Sequence, residues 1–481
     1  MNAKLVAVLL LSAIATAASA QMVTPLLQPE AQARARTPAQ QAALDAQIKE
    51  LTREMGLLHI NELRWPKNAV LPDGPNFANY EEKLANPYPL PDLLAFRNGK
   101  SVKTRADWIK RRAEIKALFD TEVYGTYPAH IPRVSWKVDG VENLTVEGIP
   151  VVAKHLTGHV DNSSYPAINI DIKVDVVTPA SMKGKRVPVI IGGGALPRPP
   201  APGAPVFAGR GAPNPKITGP AVDSSAKQLL SRGWGFVSVN SNQVQADSGA
   251  GLTEGIIGLV NKGQPRSLSD WGVLRAWAWA QSRAMDYLVT DKDIDPKKVG
   301  VMGHSRGGKA ALVALVDDPR FAIGFISSSG AGGANLYRRN YGELSENLCA
   351  PNEFHWMAGN FLKYCAKGHT IDELPVDSHE FIALVAPRAV FIGGGGLIME
   401  PGLIPGDAWQ DAKGMFMAAA AASPAWGFYG KKGLPSAAMP PMETLVDSGD
   451  VAFRQHPYGH TPNPNWSYFI QFAAKEFAKQ K

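Results

Sequence analysis

Gly303-His304-Ser305-Arg306-Gly307-Gly308-Lys309 holds the residue types and spacing of an acyl-transfer nucleophile. Gly303 and Gly307 flank Ser305 in the pattern G-x-S-x-G. Small residues there let a chain turn sharply from strand to helix. The turn lifts a serine hydroxyl above a sheet, beside a helix N-terminus that favours developing negative charge. The flanks suit such a turn, because 298–302 is a short β-type run and 310–316 a helix-type run. A plain turn of small residues, where a helix packs on a strand, is the alternative; the flanking elements favour the nucleophile.

A nucleophilic serine needs a base, an acid to orient the base, and donors for the oxyanion. Of ten histidines, His460 lies in Tyr458-Gly459-His460-Thr461-Pro462, after the last strand-like run and before the last helix-like one. An α/β-hydrolase presents its base there, with chain order nucleophile, acid, histidine. His456, at the end of the strand, is the weaker competitor, and an idle surface-loop histidine is the plain alternative. The acid stays open among three carboxylates between Gly396 and Asp411. Asp407, deep in that loop, ranks first; Asp411, which also fits a helix N-cap, second; Glu400 third. Lys309 follows Ser305 by one helical turn on the same face. Among Gly307, Gly308, Ala310 and Ala311 its charge needs an anion, unless the stem carries it out to water.

The elements that must position these residues alternate. Strand-like runs cover 167–172, 187–191, 235–239, 298–302, 323–327, 388–392 and 451–454; helix-like runs cover 271–288, 310–316, 412–422 and 466–478. Such alternation predicts a mostly parallel sheet with helices on both faces, while the alternating apolar pattern of 167–172 predicts an antiparallel pair with one wet face. Upstream, 37–55 and 107–118 read as helices, and 61–98 as an extended, Pro- and Asn-rich arm.

Residues 1–20 have a basic start, a short apolar core and Ala18-Ser19-Ala20, the pattern of a cleaved signal peptide. Export to the periplasm or the medium is therefore expected, with no membrane anchor. Residues 21–36 are expected to be disordered or loosely attached. Cleavage leaves about 460 residues, read as a partly disordered arm over 21–95 and one catalytic domain over 96–481. The formal charge of +7 is spread along the chain with no basic run, so nucleic acid is not an expected partner, although a diffuse positive field suits an anionic substrate. Cys349 and Cys365, sixteen apart, are open to one disulfide or to two buried thiols. No His/Cys cluster has metal-ligand spacing, so no metal or organic cofactor is expected.

Four segments together resemble the glucuronoyl esterases, carbohydrate esterase family 15. They are Trp108-Ile109-Lys110-Arg111-Arg112 through Val123-Tyr124-Gly125; Asp270-Trp271-Gly272 with Ala276-Trp277-Ala278-Trp279 and Ser282-Arg283-Ala284-Met285-Asp286-Tyr287-Leu288; the Ser305 segment; and Trp409-Gln410-Asp411. The resemblance spans from about residue 90 to the C-terminus. It implies a three-layer α/β-hydrolase sandwich acting on esters of (4-O-methyl)glucuronate, such as lignin–glucuronoxylan linkages. In that light Ser305 is nucleophile, His460 base, and Arg306 an oxyanion ligand, while Lys309, Glu346 and Trp409 contact the sugar. Without the resemblance, Glu346 is a solvated helix carboxylate. Many members carry their acid as the Glu of a Gly-Glu-Gly-Gly turn; Gly330-Ala331-Gly332-Gly333 lacks it, which turns attention to Asp407 and its neighbours. A monomer is expected. The competing functions are an acetyl xylan or other carbohydrate esterase on the same fold, and a weakly active or non-catalytic carbohydrate-binding relative.

Overall fold

The computed structural model describes residues 37–69, 73–85, 88–196, 218–397 and 406–480. The expected signal peptide, the 21–36 segment and Glu400 lie outside these residues. One nine-stranded sheet organises the chain: β1 (Val134–Val146), β2 (Ile149–Val160), β3 (Asp171–Pro179), β4 (Val187–Ile191), β5 (Gly235–Val239), β6 (Ile294–His304), β7 (Ile323–Ser327), β8 (Ala389–Gly395) and β9 (Val451–His456). Its order is β1-β2-β3-β5-β4-β6-β7-β8-β9. The first three strands run antiparallel and join β5 antiparallel, whereas β5, β4 and β6 to β9 are mutually parallel. Among the described residues, the α-helices of seven residues or more are α1 (Pro38–Leu57), α2 (Arg105–Glu122), α3 (Ser225–Ser231), α4 (Val273–Leu288), α5 (Arg306–Asp317), α6 (Ala412–Ala422) and α7 (Trp466–Lys479).

Alternation along the parallel strands builds two cores. Val189, Val301, Ile326, Ile392 and Phe453 face α1, α2, α4, α5 and α6. Ile190, Met302, Phe325, Phe391 and Ala452 face α3 and α7. This is the expected sandwich, with helices on both sides of a mixed sheet. Phe325 lies within 5.0–5.5 Å, ring centroid to centroid, of Phe391, Trp466 and Phe469. A Phe so enclosed contributes about 1.5–3 kcal/mol by burial alone.

The antiparallel end departs from expectation. Residues 167–170 do not open a strand, because Tyr165 N–H donates to the Asn162 carbonyl and Ile168 N–H to that of Tyr165, turning the chain around Pro166. β3 begins only at Asp171 and pairs with β2 and β5. The β1–β2 hairpin was not among the expected strands. Glu147 and Gly148, both at positive φ (46° and 82°), form the two-residue turn that matches strand twist. Upstream of residue 96, the arm lies against the same core through Leu51 and Leu63, and Arg266 pairs with Glu54 at 2.7 Å.

Candidate active site

Parallel strands deliver their loops to one edge, so the C-terminal ends of β6, β8 and β9 bring Ser305, Asp407 and His460 together. Ser305 holds φ 59° and ψ −132°, a conformation side-chain-bearing residues rarely adopt. Its N–H donates to the Ser327 carbonyl at 3.0 Å. A Cβ on Gly303 would lie 1.9 Å from the Gly307 carbonyl oxygen, and one on Gly308 2.8 Å from that of Ser327; a Cβ on Gly307 would meet nothing. Tight packing therefore requires Gly303 and Gly308, and Gly307 of the motif is sterically free. Arg306 opens α5, so its N–H is among those left without an intrahelical partner.

His460 Nδ1 lies 2.7 Å from Asp407 Oδ1. Asp407 is wholly buried, and its Oδ2 accepts from Ser328 Oγ at 2.6 Å and from the Gly395 N–H. Gly395 permits the meeting of loops, since a Cβ there would stand 2.2 Å from the Tyr458 carbonyl oxygen and 2.8 Å from Asp407 Cβ. The His460 ring lies 4.2 Å, centroid to centroid, from His304, which places it beside the Ser305 turn. Burial, followed by the His460 charge, pushes the His304 imidazole down to about 3, so a neutral ring borders His460. Asp411 is the N-cap of α6, accepting from Gly414 N–H at 2.9 Å and pairing with Arg339 at 2.8 Å. His456 is committed elsewhere: its Nε2 meets the Thr461 carbonyl at 2.9 Å and its Nδ1 accepts from Tyr458 N–H.

Ala331 is not the position that matters after β7. Its carbonyl accepts from Lys309, and the residue of that turn on Asp407 is Ser328. Position 328, where φ is 44°, is thus the one in that turn that meets the Asp407–His460 pair.

Lys309 is 2 % exposed and does not reach water. Its Nζ donates to Glu343 Oε2 and the Ser329 carbonyl, both at 2.8 Å, and to the Ala331 carbonyl. The carboxylate on Lys309 is thus Glu343, while Glu346 Oε1 accepts from Arg64 Nε at 2.8 Å. Glu343 N–H donates to the carbonyl of half-buried Trp409 at 2.8 Å, and Gly342, at φ 60°, permits that approach. Nothing in the local sequence separates Glu343 from Glu346. A buried cation needing a partner was the available signal. Cys349 and Cys365 form a disulfide within the same β7–β8 insertion. Among the described residues no group of three His, Cys, Asp or Glu could hold a metal, and no helix is long and apolar enough to cross a membrane.

Sheet order, strained serine turn and loop histidine with its buried aspartate define an α/β-hydrolase. The family model for fungal glucuronyl esterases matches residues 209–426. A glucuronoyl esterase of carbohydrate esterase family 15 from Teredinibacter turnerae is 36% identical, covering 90% of this chain and 100% of that one, with a TM-score of 0.78. The carbohydrate esterase MZ0003 of an unknown prokaryotic organism is 29% identical over 87% of this chain and 96% of that protein. A 4-O-methyl-glucuronoyl methylesterase of Cerrena unicolor is 28% identical over 63% of this chain, and the chain spans 56% of that fungal relative. The chain belongs to the glucuronoyl esterases of carbohydrate esterase family 15, and is a carboxylic ester hydrolase.

Proposed function

We propose that this chain is an exported serine esterase cleaving (4-O-methyl)glucuronate esters, as in lignin–glucuronoxylan linkages, with Ser305, His460 and Asp407 as its triad. The observation that carries the reading is the 2.7 Å contact of His460 with a buried aspartate at the strand ends that also bear Ser305. With Nδ1–H donated to Asp407, His460 keeps the Nε2 lone pair for the Ser305 proton. Ser305 Oγ attacks the uronate carbonyl carbon, and the oxyanion faces N–H groups opening α5 and the Arg306 guanidinium. Collapse expels the alcohol, protonated by His460, and water activated by the same ring releases the uronic acid.

Lys309, Glu346 and Trp409 are proposed to contact the sugar, joined by Glu343, which holds Lys309. The substrate class rests on the relatives, whose names specify 4-O-methyl-glucuronoyl esters. Export rests on residues 1–20, and the chain is proposed to act as a monomer without metal or organic cofactor. Purified protein should hydrolyse methyl and benzyl glucuronate far faster than acetylated xylose, and Ser305→Ala should abolish both activities. Preference for the acetyl ester would overturn the substrate class.

A further inference from the structure

Arg306 stands at the rim of the site with its side chain 54% exposed. An arginine so exposed ordinarily samples many rotamers, and an exposed ion pair restrains it little. Two contacts, and the fixing of the carboxylate it meets, distinguish this one. Its Nη1 donates to Asp247 Oδ2. Its guanidinium carbon lies 5.2 Å from the centre of the Trp356 ring. Asp247 is itself fixed, Oδ1 lying 3.0 Å from His355 Nε2 and accepting from Trp356 Nε1 at 2.6 Å. One indole therefore holds the carboxylate with its edge and carries the guanidinium on its face.

The parts come from three places: Asp247 follows β5, Arg306 opens α5, and His355-Trp356 belongs to the β7–β8 insertion. Burial pushes the Asp247 carboxyl up, but hydrogen bonds from His355 and Trp356 and the charges around it outweigh burial and hold it well below the usual range. The clamp engages one guanidinium N–H. Nε and Nη2 of Arg306 have no protein partner among the described residues, which leaves them for a ligand in the site.

We propose that Asp247 is a positioning residue. Through Arg306 it fixes the guanidinium over the oxyanion, with Trp356 as the platform that aligns both groups. The inference rests on Arg306 serving the oxyanion, as stated above. A positioning role differs from a structural one in its coupling: losing Asp247 matters only while Arg306 is present.

The test is a double-mutant cycle on benzyl glucuronate with Arg306→Ala, Asp247→Asn and their combination, alongside thermal unfolding of each. Asp247→Asn should lower kcat about 10–100-fold, part of what a lost oxyanion donor costs, with KM changed by less than about threefold. In the Arg306→Ala background the same substitution should change kcat by less than about twofold. If Asp247→Asn folds poorly, Trp356→Phe serves instead, because it keeps the ring and removes the N–H to Asp247. Its smaller loss of kcat should vanish in the same background. Additive losses would make Asp247 merely structural, and an unchanged or raised kcat would mean that it restrains Arg306 away from the oxyanion; either result overturns the inference. An Arg306→Ala enzyme with wild-type kcat would instead refute the oxyanion role of Arg306 itself.

Discussion

Replacing Asp407 with asparagine takes one acceptor oxygen from a buried carboxylate that meets three partners. Oδ2 accepts from the Gly395 N–H and the Ser328 hydroxyl, and Oδ1 meets His460 Nδ1 at 2.7 Å. The asparagine oxygen satisfies two donors at the Oδ2 position, so its NH2 turns to His460. Nδ1 must then accept, the ring proton moves to Nε2, and the atom that should take the Ser305 proton no longer can. A wrong tautomer of this kind costs about 10⁴ in kcat, or about 5.5 kcal/mol of transition-state stabilisation. The fold should survive, because the Gly395 and Ser328 bonds persist. The assay is steady-state hydrolysis of benzyl glucuronate, with circular dichroism to confirm folding. A folded Asp407→Asn enzyme within tenfold of wild-type kcat would refute the reasoning.

Lys309→Met should cost about 3–5 kcal/mol in denaturant unfolding, because Glu343 and two carbonyls lose a buried cation. A loss below 1 kcal/mol would show that the pair is solvated. Reducing the Cys349–Cys365 bridge, which spans 16 residues of sequence, should remove about 3 kcal/mol; an unchanged melting temperature in dithiothreitol would contradict this. Burial holds His304 neutral down to about 3, whereas the unfolded chain protonates it near the ordinary histidine value of about 6.5. Its contribution to stability is therefore complete above about pH 6.5 and declines as pH falls towards 3. Acidification from pH 7 to 5 should lower the melting temperature less in His304→Phe than in wild type, and equal losses would sink the argument.

The nucleophile turn was legible because its signal is local: two glycines around a serine, a β run before and a helix run after. Asp407 could be ranked but not settled, since its partnership with His460 spans 53 residues and depends on how two loops cross over Gly395. Glu343 is not legible as the partner of Lys309 for the same kind of reason. Glu343 precedes the short helix Ser345–Leu348 and Glu346 lies within it, and the two meet different neighbours only once Trp409 and Arg64 fix the chain on either side. Ala331 marked a gap in the pattern that the fold fills elsewhere, with Ser328 on Asp407. The β1–β2 hairpin escaped because β1 is largely exposed and lacks a buried alternating face.

A covalent glucuronoyl ester at Ser305 is the species that the proposed mechanism requires most directly. Wild-type enzyme, acid-quenched during turnover of benzyl glucuronate and digested, should yield the peptide containing Ser305 carrying one glucuronoyl group. The corresponding peptide from Ser305→Ala should be unmodified. An adduct on another residue, or a wild-type enzyme that turns over with no adduct ever trapped on Ser305, would contradict the account.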